Sequence, residues 1–322
     1  MTLRILLWHV HGSWTDAFVR GHHEYLLPVV PEGRPWGGGR GDRTWPSTRE
    51  VPFSDLADTD VDVVVLQRPE EFRLAESWLG GRRLGQDVAA VYVEHDPPRG
   101  RVPDTRHPLA DLAPAGEVAL VHVTHFNELM WDAAHLRTRV IEHGVVDPGY
   151  RYTGELDRAA TVVDEPARPG RATGTDLLPA MARAVPIDVY GIRPRQLELP
   201  VPAGRVTAHE PLPADLLHTE LAARRCYLHL ARWTSPGTAL IEAMHLGLPV
   251  VSLAVAGAVR AVPPQAGVLS TDVAELAAAA ADLLADPGRA KEIGLRAREL
   301  ALGRHGLRRF LTEWDDLLST LV

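Results

Sequence analysis

Arg232-Trp233-Thr234-Ser235-Pro236-Gly237-Thr238-Ala239-Leu240-Ile241-Glu242-Ala243-Met244-His245-Leu246-Gly247-Leu248-Pro249-Val250-Val251 reads as one connection between two buried strands. The apolar run Cys226–Leu230 comes before it and Pro249–Leu253 closes it. Between them lies a loop of small residues, then a helix that the pattern opens at about Thr238 and stops at Gly247-Leu248-Pro249. Strand, helix and strand in so short a span require a parallel crossover. The first-turn N–H groups of such a helix, with the hydroxyls of Thr234, Ser235 and Thr238, form a site for a diphosphate. Glu242 lies four positions after Thr238, on the same helical face. A carboxylate there repels a bare phosphate and accepts hydrogen bonds from a ribose diol.

Working outward, the same alternation fills the chain. Strands are expected at Arg4–Val10, Val61–Leu66, Ala89–Glu94, Ala119–Val123 and Arg139–Ile141. They are expected again at Ala160–Val163, Ile187–Tyr190, Val206–Ala208, Cys226–Leu230, Pro249–Leu253 and Gly267–Leu269. Several are continuous apolar runs, the mark of strands covered on both faces in a parallel sheet. The fold class is therefore α/β. Pro31–Pro52, with Gly37-Gly38-Gly39, has no periodicity and reads as a mobile surface loop; Asp96-Pro97-Pro98-Arg99-Gly100 is a second loop. Helices are expected at Val273–Ala285, Arg289–Leu302 and Leu307–Leu321. Gly144–Gly154 is the best boundary between domains.

Length and composition agree. At roughly 150 residues per domain, 322 residues make about two domains. Apolar residues are 45% and charged residues 24%, ordinary for a globular protein, and a net charge of −8 argues against a nucleic-acid binder. The one cysteine, Cys226, forms no internal disulfide and suits a reducing, cytoplasmic setting. Met1–Trp8 is too short an apolar run for a signal peptide, and no stretch is long enough to span a bilayer. Lys291 is the one lysine; all other Lys/Arg positions are arginine, a bias that reflects a GC-rich genome more than chemistry. Schiff-base chemistry and a P-loop are therefore excluded before residue 291.

In parallel sheets ligands bind at the carboxyl ends of strands. There the first strand offers His9, His11, Gly12 and Ser13, with Gly12-Ser13 a tight turn opening a helix. His9 and His11 also have the alternate spacing of a metal-ligand pair, with His95, Asp96, His122 and His125 at later strand ends. His95 can meet a substrate hydroxyl or a phosphate oxygen, and it also fits a plain loop-capping role.

At residues 232–251 the sequence resembles the GT-B glycosyltransferases, in particular the retaining enzymes of glycosyltransferase family 4. Their signature runs Glu, seven residues, Glu-Ala, then a helix ending in Gly-x-Pro-Val. Further matches are Val140–Asp147, which resembles the segment before the linker, Thr173-Gly174-Thr175-Asp176-Leu177-Leu178, and Asp188-Val189-Tyr190-Gly191. The resemblance implies two Rossmann-like domains facing across a cleft. It implies an acceptor domain at 1–150, a nucleotide-sugar domain at 151–303, and a last helix at 304–322 returning to the first domain. Glu242 would hold the donor ribose, and Thr234, Ser235, Gly237, Thr238, Ala239 and Leu240 the diphosphate and sugar. Arg168 and Arg171, beside Thr173, would neutralise the leaving diphosphate. His209 and Leu212 would lie at the base, Gly12 and Ser13 near the phosphate, and His95 at the reacting sugar. Catalysis would rest on His95, Arg168 and Glu242. No cofactor or metal is implied; the partners are a nucleotide diphosphate sugar and a soluble small-molecule or glycan acceptor, with no nucleic acid. Two departures stand out: Thr234 replaces the first glutamate, and Thr173 replaces a lysine. They leave open a non-catalytic nucleotide-sugar binder beside the transferase. A metal-dependent hydrolase built on His9 and His11 is the remaining alternative.

Overall fold

A computed structural model describes the chain except residues 34, 103, 114–115, 164–169, 192–196 and 198. It contains two compact units, Met1–Val146 with Leu307–Val322, and Asp147–Gly306. The divisions thus fall after Val146 and Gly306, so 147–150 and 304–306 go with the second unit.

The first unit holds a seven-stranded sheet of β1 (Arg4–Leu7), β2 (Glu24–Val29), β3 (Thr48–Pro52), β4 (Val63–Leu66), β5 (Ala89–Glu94), β6 (Val118–His122) and β7 (Arg137–Val140). Their order is β3-β2-β1-β4-β5-β6-β7, and every pairing is parallel. The second unit holds β8 (Leu156–Val162), β9 (Ile187–Tyr190), β10 (Val206–Ala208), β11 (Arg224–His229), β12 (Val250–Leu253) and β13 (Gly267–Ser270). Their order is β10-β9-β8-β11-β12-β13, again parallel throughout. Both are doubly wound Rossmann-like sheets. Strand order reverses between β1 and β4 in one and between β8 and β11 in the other, and ligands settle at such switch points.

Period-two alternation sorts the side chains. Ile5, Leu7, Val63, Val65, Val91 and Val93 face one layer, with Trp14, Phe18, Phe310 and Trp314. Leu6, Val64, Leu66, Ala90, Tyr92 and Leu120 face the other, with Phe72. In the second unit Ala159, Ile187, Val189, Cys226 and Leu228 pack with Leu276 and Leu283, while Ala160, Tyr190 and Tyr227 pack with Leu240 and Met244.

Two strands escape the sequence reading. β2 contains Pro28, which argues against an interior strand. Its pairing to β1 covers only Glu24–Leu26, so Pro28 lies past the end of that ladder and loses no bond to it. β3 arises inside the stretch taken for a mobile loop. It is an edge strand with Val51 as its one buried side chain, so it shows no apolar run. Other described parts of that stretch are anchored too. Trp45 is buried and donates to Asp16 (2.7 Å), and Trp8 donates to the Trp36 carbonyl (2.7 Å).

The helix Leu307–Leu318 completes the first unit: Trp314 lies 5.0 Å from the Phe18 ring and 5.8 Å from Trp14. Arg309 ties it to the Glu142 and His143 carbonyls. Among the described residues no helix is long and apolar enough to cross a membrane. Trp314→Ala should cost about 3–5 kcal/mol of unfolding free energy in a urea titration, as expected for a buried aromatic.

Buried and half-buried histidines shape the pH behaviour together with Asp62, Asp147 and Asp188, whose carboxyls arginine partners hold below the usual range. Burial pushes His122 down to about 3 and His229 to about 4, and also lowers His23, His95 and His245. Below the ordinary value of 6.5 the unfolded chain takes protons that the folded chain refuses. Stability should therefore be full above pH 6.5 and fall progressively towards pH 4. Buried Glu71, whose carboxyl is raised, opposes this as a single group. Melting temperatures measured across pH 4–7 should drop on the acid side; a flat profile would contradict the neutral buried imidazoles.

Candidate active site

Each unit carries its own polar set at the carboxyl ends of its strands. In the second unit, β11 runs through buried Leu230 into the loop 231–237, and the helix Thr238–Leu246 opens at Gly237 with no side-chain cap. In its first turn the Leu240 amide donates to the Gly237 carbonyl (3.1 Å), while no side chain caps the amides before it. Thr234, Ser235 and Thr238 are half-buried around it, Pro236, Ala239 and Leu240 are buried, and Gly247 ends the helix in the left-handed region.

The segment after β8 meets this loop across the switch point. Gly174 has φ +79°, and a Cβ there would collide with the Leu230 carbonyl oxygen. Only glycine allows that approach. The stretch aligned with a helix start is instead a short helix Gly170–Thr173, left-handed Gly174, a 3₁₀ turn Thr175–Leu177, and then the helix Leu178–Met181. Arg232 and Trp233 donate their amides to the Ala172 carbonyl (2.9 and 3.4 Å). The Arg232 guanidinium grips Asp176 at 2.6 and 3.1 Å and also donates to the Arg171 carbonyl (2.8 Å). Arg171 is exposed and 3.6 Å from Asp176, while the Thr173 hydroxyl turns back to the Gly170 carbonyl (3.4 Å). Arg168 lies outside the described residues. Arg232 is a cation that the sequence reading passed over, although it opens the loop directly after β11.

Glu242 sits one turn into its helix, with Oε2 3.0 Å from Nε2 of His218 on the helix Ala214–Ala223. His209 follows β10 and stacks on Tyr190 at 4.6 Å with 12° between the planes. Its Nε2 is 3.1 Å from Asp188. Burial raises the Asp188 carboxyl, but Arg158, Arg224 and His209 outweigh that and hold it below the usual carboxylate range. Leu212 is half-buried and packs into the Tyr190–Leu240 layer.

In the first unit His95 is 7% exposed, and its neighbours define its state. The Gln67 amide nitrogen donates to the Trp8 carbonyl (2.8 Å), so its oxygen faces His95 Nε2 at 3.1 Å. His95 therefore donates through Nε2, and Nδ1 carries the lone pair. Burial, with the rings of His11 and His143 beside it, holds its pKa well below the ordinary range and keeps it neutral. Its Nε2–H is directed at Gln67. Gln67 was invisible in the sequence because nothing marks the residue after β4 as the partner of one after β5.

Gly12 opens the helix Gly12–Phe18 and Ser13 is exposed; a Cβ on Gly12 would lie 3.6 Å from the Arg43 guanidinium. His9 and His11 turn to different neighbours. His9 packs on Trp45 at 4.8 Å and His11 on His95 at 4.0 Å. Among the described residues the one trio with metal-ligand spacing is His22, His23 and Asp315. His23 Nδ1 accepts the Leu3 amide, which fixes the proton on Nε2 towards Asp315.

Residues 188–286, under a third of the chain, match the family described as Glycosyl transferases group 1. A search of curated proteins finds no match. Among solved structures, sucrose-phosphate synthase from Thermosynechococcus elongatus aligns with TM-score 0.74 at 15% identity over 99% of both chains. Anabaena HepE in complex with UDP-glucose aligns with TM-score 0.71 at 16% identity, over 99% of this chain and 100% of that one. A TarM variant from S. aureus, in complex with Fondaparinux, α-GlcNAc-glycerol and UDP, aligns with TM-score 0.61 at 14% identity over 80% of this chain and 55% of that one. The fold is GT-B. The glycosyl transferase group 1 segment lies in the second unit and includes the helix Thr238–Leu246.

Gln67→Leu should cost about 1–3 kcal/mol in a denaturant titration, because it strands the Trp8 carbonyl and the His95 Nε2–H. A loss below about 0.5 kcal/mol would contradict the bridging role.

Proposed function

We propose that the chain transfers a glycosyl group from a nucleoside diphosphate sugar, with uridine as the favoured base, to a small soluble acceptor. The observation that carries this reading is the switch point of the second sheet. There an uncapped helix start, the arginines around Asp176 and a half-buried Glu242 are assembled by Gly174 and the loop after β11. A diphosphate suits the helix start and the arginines; a ribose diol suits the carboxylate one turn further on. The names of two aligned structures, HepE with UDP-glucose and TarM with UDP, favour uridine.

In this reading Glu242 accepts the ribose hydroxyls, and the amides of Thr238 and Ala239 with the Thr234 and Ser235 hydroxyls take the diphosphate. His209, backed by Tyr190, faces the base with Leu212, and Leu240 closes the loop behind the donor. Arg171 and Arg232 supply positive charge where the leaving diphosphate forms; Arg168 is assigned to the same task by the resemblance alone. Concentrated positive charge and aligned amides lower the barrier because charge develops on the diphosphate in the transition state. Guanidinium groups in that place make a metal unnecessary. We assign retention of anomeric configuration, with no residue as a covalent nucleophile. The first unit would receive the acceptor, with His95, Gly12 and Ser13 near the reacting sugar. A cytoplasmic location fits this chemistry.

Thr234, where the family has a carboxylate, and Thr173, whose hydroxyl is turned onto its own helix, favour a second reading of donor binding without turnover. Calorimetric titration with UDP, GDP, ADP and dTDP, with and without chelator, tests both. UDP should saturate one site with chelator present. Glu242→Ala should weaken it about 10- to 100-fold, or about 1.4–2.7 kcal/mol. Arg168→Ala should lower kcat more than affinity. Binding of no nucleotide would contradict the proposal, and binding without turnover over a broad acceptor panel would select the second reading.

A further inference from the structure

Glu242 is not a lone carboxylate. His218 approaches it from the neighbouring helix Ala214–Ala223, with Nε2 3.0 Å from Oε2. The two side chains are 12% and 16% exposed, shielded enough to hold a fixed geometry and open enough to be reached. A carboxylate only accepts, so His218 is the donor. Among the described residues Oε1 has no hydrogen-bond partner. About three of the four lone-pair sites on the carboxylate therefore remain for a ligand.

We infer that His218 is a positioning residue that fixes Glu242 so that its free acceptor sites face the vicinal hydroxyls of the donor's ribose. This rests on the nucleotide-sugar reading of the second unit. A glutamate side chain has three rotatable bonds, and holding it in one rotamer before the ligand arrives removes an ordering cost from binding. The constraint comes from packing between two helices whose first turns both lie at the carboxyl edge of the sheet. Sequence spacing could not show it, since 24 residues and β11 separate the partners.

The role makes a specific demand. If His218 acts only through Glu242 on the diol, its loss must affect ligands with two ribose hydroxyls and spare those with one. The test is calorimetric titration of UDP and 2′-deoxy-UDP against the whole protein, His218→Leu, His218→Gln and Glu242→Ala. The unaltered protein should prefer UDP about 10-fold or more. His218→Leu should weaken UDP about 5- to 10-fold with little change for 2′-deoxy-UDP, and His218→Gln, whose amide N–H reaches a similar place, should restore most of the preference. In the Glu242→Ala background His218→Leu should have no further effect on UDP. Equal weakening of both nucleotides by His218→Leu, or an unchanged UDP affinity, would overturn the positioning role while leaving the donor reading intact. Failure of the unaltered protein to bind any nucleoside diphosphate would overturn both.

Discussion

A parallel sheet must be covered on both faces, and the chain that covers it has to reverse its winding once. That reversal opens a crevice where two loops leave adjacent strands in opposite directions. In the second unit the crevice lies between β8 and β11, and its walls are brought together by contact between backbones. Gly174, left-handed and without a side chain, sits against the Leu230 carbonyl, while the Ala172 carbonyl receives the amides of Arg232 and Trp233. The Arg232 guanidinium then closes on Asp176. That joint decides where the loop 231–237 enters the helix Thr238–Leu246, and so where Thr234, Ser235 and Thr238 lie.

The first unit solves the same geometric problem with imidazoles. At its switch point Gln67, after β4, bridges the Trp8 carbonyl and His95, so loops from β1, β4 and β5 share one amide. Burial and neighbouring rings keep His95 uncharged. The two units thus differ in electrostatic character. One presents arginines and helix amides suited to an anion; the other presents a buried, neutral imidazole.

Most of the fold was legible because both-face burial writes itself into the sequence as apolar runs such as Val63–Leu66 and Val250–Leu253. β3 was hidden because an edge strand with a single buried residue carries no such run, and β2 because Pro28 reads as a breaker until its ladder with β1 is known to end earlier. In the site, the helix start and Glu242 were visible from local spacing. Gln67, His218 and the Arg232–Asp176 pair were not. Their roles arise from contacts between segments far apart in the chain, and no local period records those. His9 and His11, two residues apart, have different ring neighbours, Trp45 and His95, which local spacing does not record either.

The most direct measurement is amide hydrogen exchange on the whole protein with and without saturating UDP. A diphosphate held by the uncapped helix start should slow exchange across Ser235–Leu240 and in the segment Gly170–Asp176 that is joined to it. Protection confined to residues outside both segments, or none at all in the presence of bound UDP, would contradict the assignment of the donor site to the β8–β11 switch point.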